Sequence, residues 1–140
     1  MTFERKNEFG TIKLNDAIFA QIVQTGIAKC GGRAFLASEK GKLLGGQGVK
    51  PGIGEITSNI KIKDEDEFYK LEFCIIMSFG ASISETTKDI LDYAEYEMKG
   101  LLPDKKGKII LRIVGIKSKK IAERNIKVVR EYEIGSGAKA

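Results

Sequence analysis

The sequence contains no histidine, and this absence removes many kinds of catalytic site. Without an imidazole, serine and cysteine triads of the usual kind, histidine-based zinc sites and imidazole acid–base catalysis are excluded. Carboxylate, lysine and tyrosine chemistry remain, but no combination of these residues in the sequence defines a catalytic cleft. The sequence therefore predicts a protein that is not an enzyme and that has no catalytic residues, no metal site and no cofactor.

Cysteine is also scarce, with only Cys30 and Cys74 in the chain. They lie far apart and form no Cys-x-x-Cys pair, so we expect two buried, reduced thiols in a cytoplasmic protein. Long hydrophobic runs are missing as well, since none approaches the roughly 18 residues that a membrane-spanning helix needs. The first residues contain no apolar stretch typical of a secretory signal. We therefore expect no direct membrane span.

The net charge of +5 is unevenly distributed along the chain. Residues 1–100 contain 13 basic and 15 acidic side chains, whereas residues 101–140 contain 11 basic and 4 acidic ones. Such a basic segment can contact nucleic acid, an anionic membrane face or an acidic protein partner. The candidate contact residues are Lys117, Lys119, Lys120, Arg124 and Lys127, with Arg130 in the same run. The alternative is a solvated surface, because glutamates are interspersed among these residues.

Hydrophobic periodicity predicts four strands and two helices, followed by a tail that suits either state. The predicted strands are 9–14, 55–63, 68–79 and 108–116, and the predicted helices are 17–30 and 82–100. Ser82 and Glu85 have the spacing of a capping box at the start of the second helix. In the third strand, the alternation predicts a buried face that includes Phe79. The buried residues expected on this face are Tyr69, Leu71, Phe73, Ile75, Met77 and Phe79.

This order, β-α-β-β-α-β, predicts a single α+β domain in which a mixed sheet carries two helices on one face and an extra C-terminal segment follows. We place the domain at residues 8–116, a basic extension at 117–134 and a disordered tail at 135–140. The same order occurs in RNA-recognition domains, but their glycine-containing aromatic strand pattern is missing here. The aromatic face of the third strand is therefore interpreted as core.

The stretch "EKGKLLGGQGVKPGIGE", from Glu39 to Glu55, contains six glycines and three lysines. Gly41 and Gly46 have the four-residue gap of a phosphate-binding P-loop, but Gln47 stands where that loop requires lysine. "GGQG" matches the Gly-x-x-Gly of KH domains formally, although that clamp belongs between two helices. We therefore interpret this stretch as a mobile connector between the first helix and the following strand.

Several segments resemble the alkaline shock protein family of Gram-positive bacteria, also called envelope stress response proteins. "EFGTIKLNDAIFAQIVQTGIAKC" is similar to the family's opening strand and helix, with Phe9 and Gly10 at its aromatic-glycine position. "IIMSFGASISETTKDILDYAEYEM" is similar to its most recognisable segment through Phe79, Gly80 and Ile83. "GQGVK" and "IILRIVGI" resemble the entry to its hairpin and its closing strand. The resemblance covers roughly residues 8–116.

The resemblance implies a non-enzymatic interaction or scaffold protein of cell-envelope stress homeostasis. Family members self-associate, and some gather at the inner face of the membrane by binding a membrane-anchored relative. We therefore expect a homo-oligomer with a protein partner, cytoplasmic and peripheral at the inner membrane face. The five matched motif residues would be structural or would contact that partner. The second hypothesis, from the basic C-terminal segment, is a module that binds nucleic acid.

Overall fold

The computed structural model describes residues 2–7, 10–45, 50–65, 68–118 and 121–133, with the side chains described from residue 16 onward. Ten elements lie within these ranges. They are β1 (Thr2–Asn7), β2 (Gly10–Asn15), α1 (Asp16–Ala28), β3 (Ala34–Ala37), α2 (Ile53–Ser58), β4 (Lys61–Asp64), β5 (Phe68–Ser78), α3 (Ile83–Leu101), β6 (Lys106–Lys117) and β7 (Ile121–Tyr132).

Five of the strands form one mixed sheet in which β5 has the most partners. β4 pairs antiparallel with the first half of β5, and β3 pairs antiparallel with its second half along the same edge. The other edge of β5 pairs in parallel with β6, which is followed by antiparallel β7. The connection between the parallel strands is α3, as a parallel pair requires a crossover. The predicted α+β class with a mixed sheet is confirmed.

The core lies between this sheet and the helices. On β5, Tyr69, Leu71, Phe73, Ile75 and Met77 are each at most 1% exposed and belong to one apolar cluster with residues of α1 and α3. The predicted buried face is therefore correct as far as Met77. The prediction is wrong for the last residue of this face, Phe79, because β5 ends at Ser78 and the Phe79 side chain is 77% exposed.

The second helix of the prediction, α3, begins as its sequence indicates. The Ser82 hydroxyl oxygen accepts a hydrogen bond from the Glu85 main-chain N–H at 3.2 Å, which confirms the predicted cap. The helix then buries one stripe of side chains against the core. This stripe comprises Thr86, Thr87, Ile90, Leu91, Ala94 and Met98.

Two segments before β5 differ from what the sequence predicted. β1, which was not predicted, pairs with β2 in a separate two-stranded antiparallel sheet. The segment Ile53–Ser58, predicted in part as a strand, is the short helix α2. Its residues Ile53 and Ile56 have helical spacing, and Ile56 is fully buried in the core. The hydroxyls of Thr57 and Ser58 each donate to the carbonyl four residues earlier, which suits a helix and not a strand.

The glycine-rich stretch is packed structure over much of its length. Leu44 is only 8% exposed and belongs to the core cluster, and its N–H donates to the Leu36 carbonyl at 3.0 Å. The Gly45 N–H donates to a carboxylate oxygen of Glu55 at 3.0 Å. The expected mobile connector is therefore wrong for residues 39–45 and 50–55. Residues 46–49, which hold most of "GGQG" and "GQGVK", lie outside the described residues.

The ambiguous tail is a strand, β7, and it belongs to the same sheet as the rest of the domain. It contributes Tyr132, 7% exposed, whose ring meets that of Tyr69 edge-on at 6.1 Å between centroids. The segment proposed as a separate extension thus completes the core. The predicted disordered tail at 135–140 lies outside the described residues.

Replacing Leu44 by alanine tests whether the glycine-rich stretch is packed. We expect Leu44→Ala to lower the free energy of unfolding by about 2 kcal/mol, the low end for a buried leucine, because it leaves a cavity in the core. The matched control is its half-buried neighbour Leu43, whose change to alanine should cost less than about 1 kcal/mol. Urea denaturation of both variants measures the difference. Equal losses would contradict the packing of Leu44.

Candidate functional site

One of the matched motif residues and one of the candidate basic residues, both identified in the sequence, lie at the same end of the main sheet. The Phe79 N–H donates to the Lys117 carbonyl at 2.8 Å, just beyond the paired residues Ser78 and Lys117. Ile121, which pairs with Lys117 across the β6–β7 hairpin, is 39% exposed. We call Phe79, Lys117 and Ile121 the Phe79 surface. The main chain of Phe79 is thus bonded to the end of β6, next to the start of β7, although these residues come from two separate parts of the chain.

Two of the other matched motif residues, Gly80 and Ile83, lie in the turn and helix that follow Phe79. Gly80 has a φ of +88°, a left-handed conformation that a residue with a Cβ adopts only with strain. This turn brings the chain from the end of β5 to the start of α3, where Ile83 packs half-buried against the core. Gly80 therefore shapes the turn that follows Phe79, and Ile83 packs the start of α3 against the core. Gly10 is the first residue of β2 in the separate sheet, and Phe9 lies outside the described residues.

The basic candidates are not one continuous site. Lys117 is half-buried, with its ammonium nitrogen 5.3 Å from the centroid of the Phe35 ring. Arg124 is exposed and donates to the carbonyl of the preceding residue, Glu123, at 2.6 Å. Lys127 is exposed on β7 and lies opposite Arg112 of β6. Lys119 and Lys120 lie outside the described residues.

Arg130 joins two elements of the fold through ion pairs. One of its guanidinium nitrogens lies 3.0 Å from a Glu95 carboxylate oxygen and 3.2 Å from one of Asp92. Burial by itself would raise the pKa of Glu95, but hydrogen bonds from Lys99 and Arg130 outweigh it and leave this pKa lowered. The pKa of Asp92 is lowered chiefly by its hydrogen bond from Lys88. Arg130 thus fastens β7 to α3.

The sheet face that points away from the helices carries mixed charge. The Arg112 guanidinium lies 2.5 Å from a carboxylate oxygen of Glu72, and Lys61 pairs with Glu39. Cys74 is buried among these groups, and its burial raises the pKa of the thiol to about 11. Cys74 and Cys30 are both free and buried, as expected.

Three lysines form a row across this same face. Lys63 of β4 lies directly opposite Lys70 of β5, and Lys70 lies opposite Lys108 of β6. Like charges that are directly opposite on neighbouring strands repel each other. Only Lys108 has a partner among the described ion pairs, since its ammonium lies 3.8 Å from a Glu131 oxygen. We call Lys63, Lys70 and Lys108 the lysine row.

A groove of about 550 Å³ lies between α1 and β3, and the sequence did not predict it. One wall is the C-terminal half of α1, with Gln24, Thr25, Ile27 and Ala28. The rest of the lining comes from β3 with the preceding Gly32, from the segments around Leu44 and Pro51, and from Lys117 of β6. No sequence motif marks the groove, because its lining comes from five separate segments and is mostly apolar.

Comparisons with protein-family models, with curated proteins and with solved structures found no match to this chain. None of the helices in the described part of the chain combines the length and apolar character needed to cross a membrane. Within the same described ranges, no three histidine, cysteine or carboxylate side chains converge as a metal site.

Replacing Arg130 by glutamine tests its role in fastening β7. Because the folded pKa values of Asp92 and Glu95 are lowered, their charged forms stabilise the fold above the ordinary carboxyl range, and this stabilisation is lost as the pH falls through the lowered values. We expect Arg130→Gln to cost about 1 kcal/mol at pH 7 and progressively less as the pH falls below about 4.

The matched control is Arg124→Gln, which removes an exposed guanidinium that has no carboxylate within ion-pair distance among the described residues. Its free energy of unfolding should stay close to that of the unmodified protein at every pH. Urea titrations at several pH values measure both variants. A loss for Arg130→Gln that does not depend on pH would show that packing, and not charge, fastens β7.

Proposed function

We propose that this protein is a non-enzymatic interaction protein that self-associates and is recruited to the cytoplasmic face of the membrane by a protein partner. Its role would lie in cell-envelope stress homeostasis. The observation that supports this proposal most directly is the exposure of Phe79 on a fixed turn. Phe79 also belongs to the segment that resembles the alkaline shock protein family, which adds support from an independent source.

Phe79 has the character of a binding anchor. Its side chain is 77% exposed, while its main chain is held by the bond to Lys117 and the turn is closed by the Ala81 N–H, which donates to the Ser78 carbonyl at 3.1 Å. A partner that covered this ring would gain roughly 1.5–3 kcal/mol from the burial of apolar surface. Because the turn is already ordered, little conformational entropy would be lost on binding.

The neighbours of Phe79 suggest the chemistry of the partner. Lys117 contributes a positive charge, and Lys119 and Lys120 follow it in the sequence. A basic residue whose main chain is bonded to that of an apolar anchor favours a partner surface with an apolar pocket and an acidic rim. Ile121 extends the apolar part of the surface. The same surface on a second copy is basic, so we assign it to the protein partner and place self-association elsewhere on the chain.

Replacing Phe79 by alanine tests this assignment in the native organism. Chemical crosslinking, purification of the full-length protein and mass spectrometry identify its partners, and cell fractionation measures its membrane-bound share. We expect Phe79→Ala to lose the crosslinked partner and most of the membrane-bound share, because the anchor is removed. The matched control is Tyr96→Ala, which removes an aromatic ring that is 75% exposed on α3. A membrane-bound share equal to that of Tyr96→Ala would refute the assignment.

Binding of nucleic acid is the second candidate, and the lysine row is the observation that favours it. Three ammonium groups on adjacent strands form a repulsive arrangement that phosphate groups would relieve. The mixed charge of the rest of the face argues against a large contact area. A complex limited to this row would neutralise few phosphates and would depend only modestly on salt.

An electrophoretic shift assay at two salt concentrations tests this candidate. Affinity should fall as the salt concentration rises, with a slope of about 0.9 for each phosphate neutralised on duplex DNA. The double change Lys63→Gln and Lys70→Gln should reduce that slope by the amount that corresponds to about two neutralised phosphates. The control is Lys29→Gln with Lys88→Gln, which removes the same charge from the turn after α1 and from α3. No binding at low salt, or equal slopes for both double variants, would eliminate the lysine row as a nucleic-acid site.

A further inference from the structure

The groove between α1 and β3 is an open cleft with a volume of about 550 Å³. Ligand pockets typically have volumes of about 300–1,000 Å³ and mostly apolar linings. The groove therefore has the size of a binding site for a small organic molecule.

Small residues at the junction of α1 and β3 keep the groove open. Ala28 of α1, Gly32 of the connecting turn and Ala34 of β3 all line it. Gly32 has a φ of +88° and is held by the Ser78 hydroxyl, which donates to its carbonyl. On the opposite side, the Gln24 side-chain amide donates to the Pro51 carbonyl at 3.2 Å and links the two walls. The groove is thus built by defined contacts and not by a loosely packed loop.

The charges on the groove are all of one sign. Lys50 and Lys117 are the charged side chains among its described lining residues, and none of those residues is acidic. Lys50 is exposed at the surface. Lys117 is half-buried over the Phe35 ring, which fixes its ammonium group beside the apolar lining. An apolar cleft with two ammonium groups is complementary to a molecule that has an apolar chain and an anionic head.

We propose that this groove binds a long-chain carboxylate such as a free fatty acid. The hydrocarbon chain lies against Ile27, Leu36 and Leu44, and the carboxylate faces Lys50 and Lys117. This inference does not rest on the proposed recruitment by a protein partner, because Phe79 does not line the groove. Lys117 is common to both surfaces, so the two proposals are tested separately at Phe79, which lies outside the groove, and at Lys50, which lies outside the Phe79 surface.

Isothermal titration calorimetry of the full-length protein with a series of saturated fatty acids, below their micellar concentrations, tests the proposal. Each added methylene group should strengthen binding by roughly three- to fourfold until the groove is filled, because each one buries further apolar surface. The neutral alcohol hexadecan-1-ol should bind at least tenfold more weakly than hexadecanoate. Equal affinity of the alcohol and the acid, or no binding of any acid in the series, overturns the proposal.

Variants of the groove separate specific binding from adsorption to the surface. Ala28→Phe and Thr25→Phe change exposed α1 residues that line the groove, so each should fill it while the fold is kept, and each should reduce binding more than tenfold. Thermal melting shows whether each variant is folded. If one of the two variants misfolds, the other still provides the test. Binding of hexadecanoate that persists in both folded variants would refute the proposal.

A lysine variant inside the groove and a matched one outside it test whether binding requires the positive charge of the groove. Lys50→Gln removes one of the two ammonium groups of the groove and should weaken hexadecanoate binding several-fold, with little effect on hexadecan-1-ol. Lys127→Gln removes the same charge from β7, outside the groove, and should leave both affinities unchanged. A phospholipid with an anionic headgroup, supplied in vesicles, tests the alternative source of an apolar anion. Binding of the vesicles without any binding of the free acid would also refute the proposal.

Discussion

The burial of one face of β5 is the interaction on which the rest of the structure depends. Its five helix-facing side chains, from Tyr69 to Met77, are almost completely removed from solvent, and each contributes roughly 1.5–3 kcal/mol through burial of apolar surface. The same strand pairs with β3, β4 and β6. Because a shift of one residue would exchange the two faces of a strand, this burial sets the register of the whole sheet. The positions of α1 and α3 follow, since both pack on that face.

The surfaces that are left for binding are consequences of this arrangement. Where β5 ends, the chain turns sharply at Gly80 to reach α3, and the turn leaves Phe79 in solvent next to the β6–β7 hairpin. Where α1 meets the short edge strand β3, small residues leave the apolar groove. The face without helices carries the lysine row and several ion pairs. Three surfaces of different chemistry are therefore held by a single core, and Lys117 belongs to two of them, the Phe79 surface and the groove.

Secondary structure and burial were predicted correctly where a pattern of neighbouring residues agrees with their surroundings in the folded protein. The alternation in β5 and the Ser82–Glu85 cap were read correctly, because both depend on side chains that are neighbours along the chain. Ile53–Ser58 was predicted in part as a strand, since the even spacing of Ile56, Ile60 and Ile62 fits a strand while the three-residue spacing of Ile53 and Ile56 fits a helix. The tail was ambiguous for the same reason. Only pairing with β6 makes it β7, and only α3 supplies the carboxylates that hold Arg130.

The sequence by itself determined the class of fold, the buried face of the central strand, the start of α3 and the concentration of basic residues toward the C-terminus. These are properties of composition and short-range periodicity. The tertiary structure alone decided that Phe79 is exposed, that Lys117 lies beside it and beside Phe35, that Lys63, Lys70 and Lys108 form a row, and that a groove opens between α1 and β3. Each of these depends on strand register and on the packing of distant segments, which no local pattern in the chain encodes.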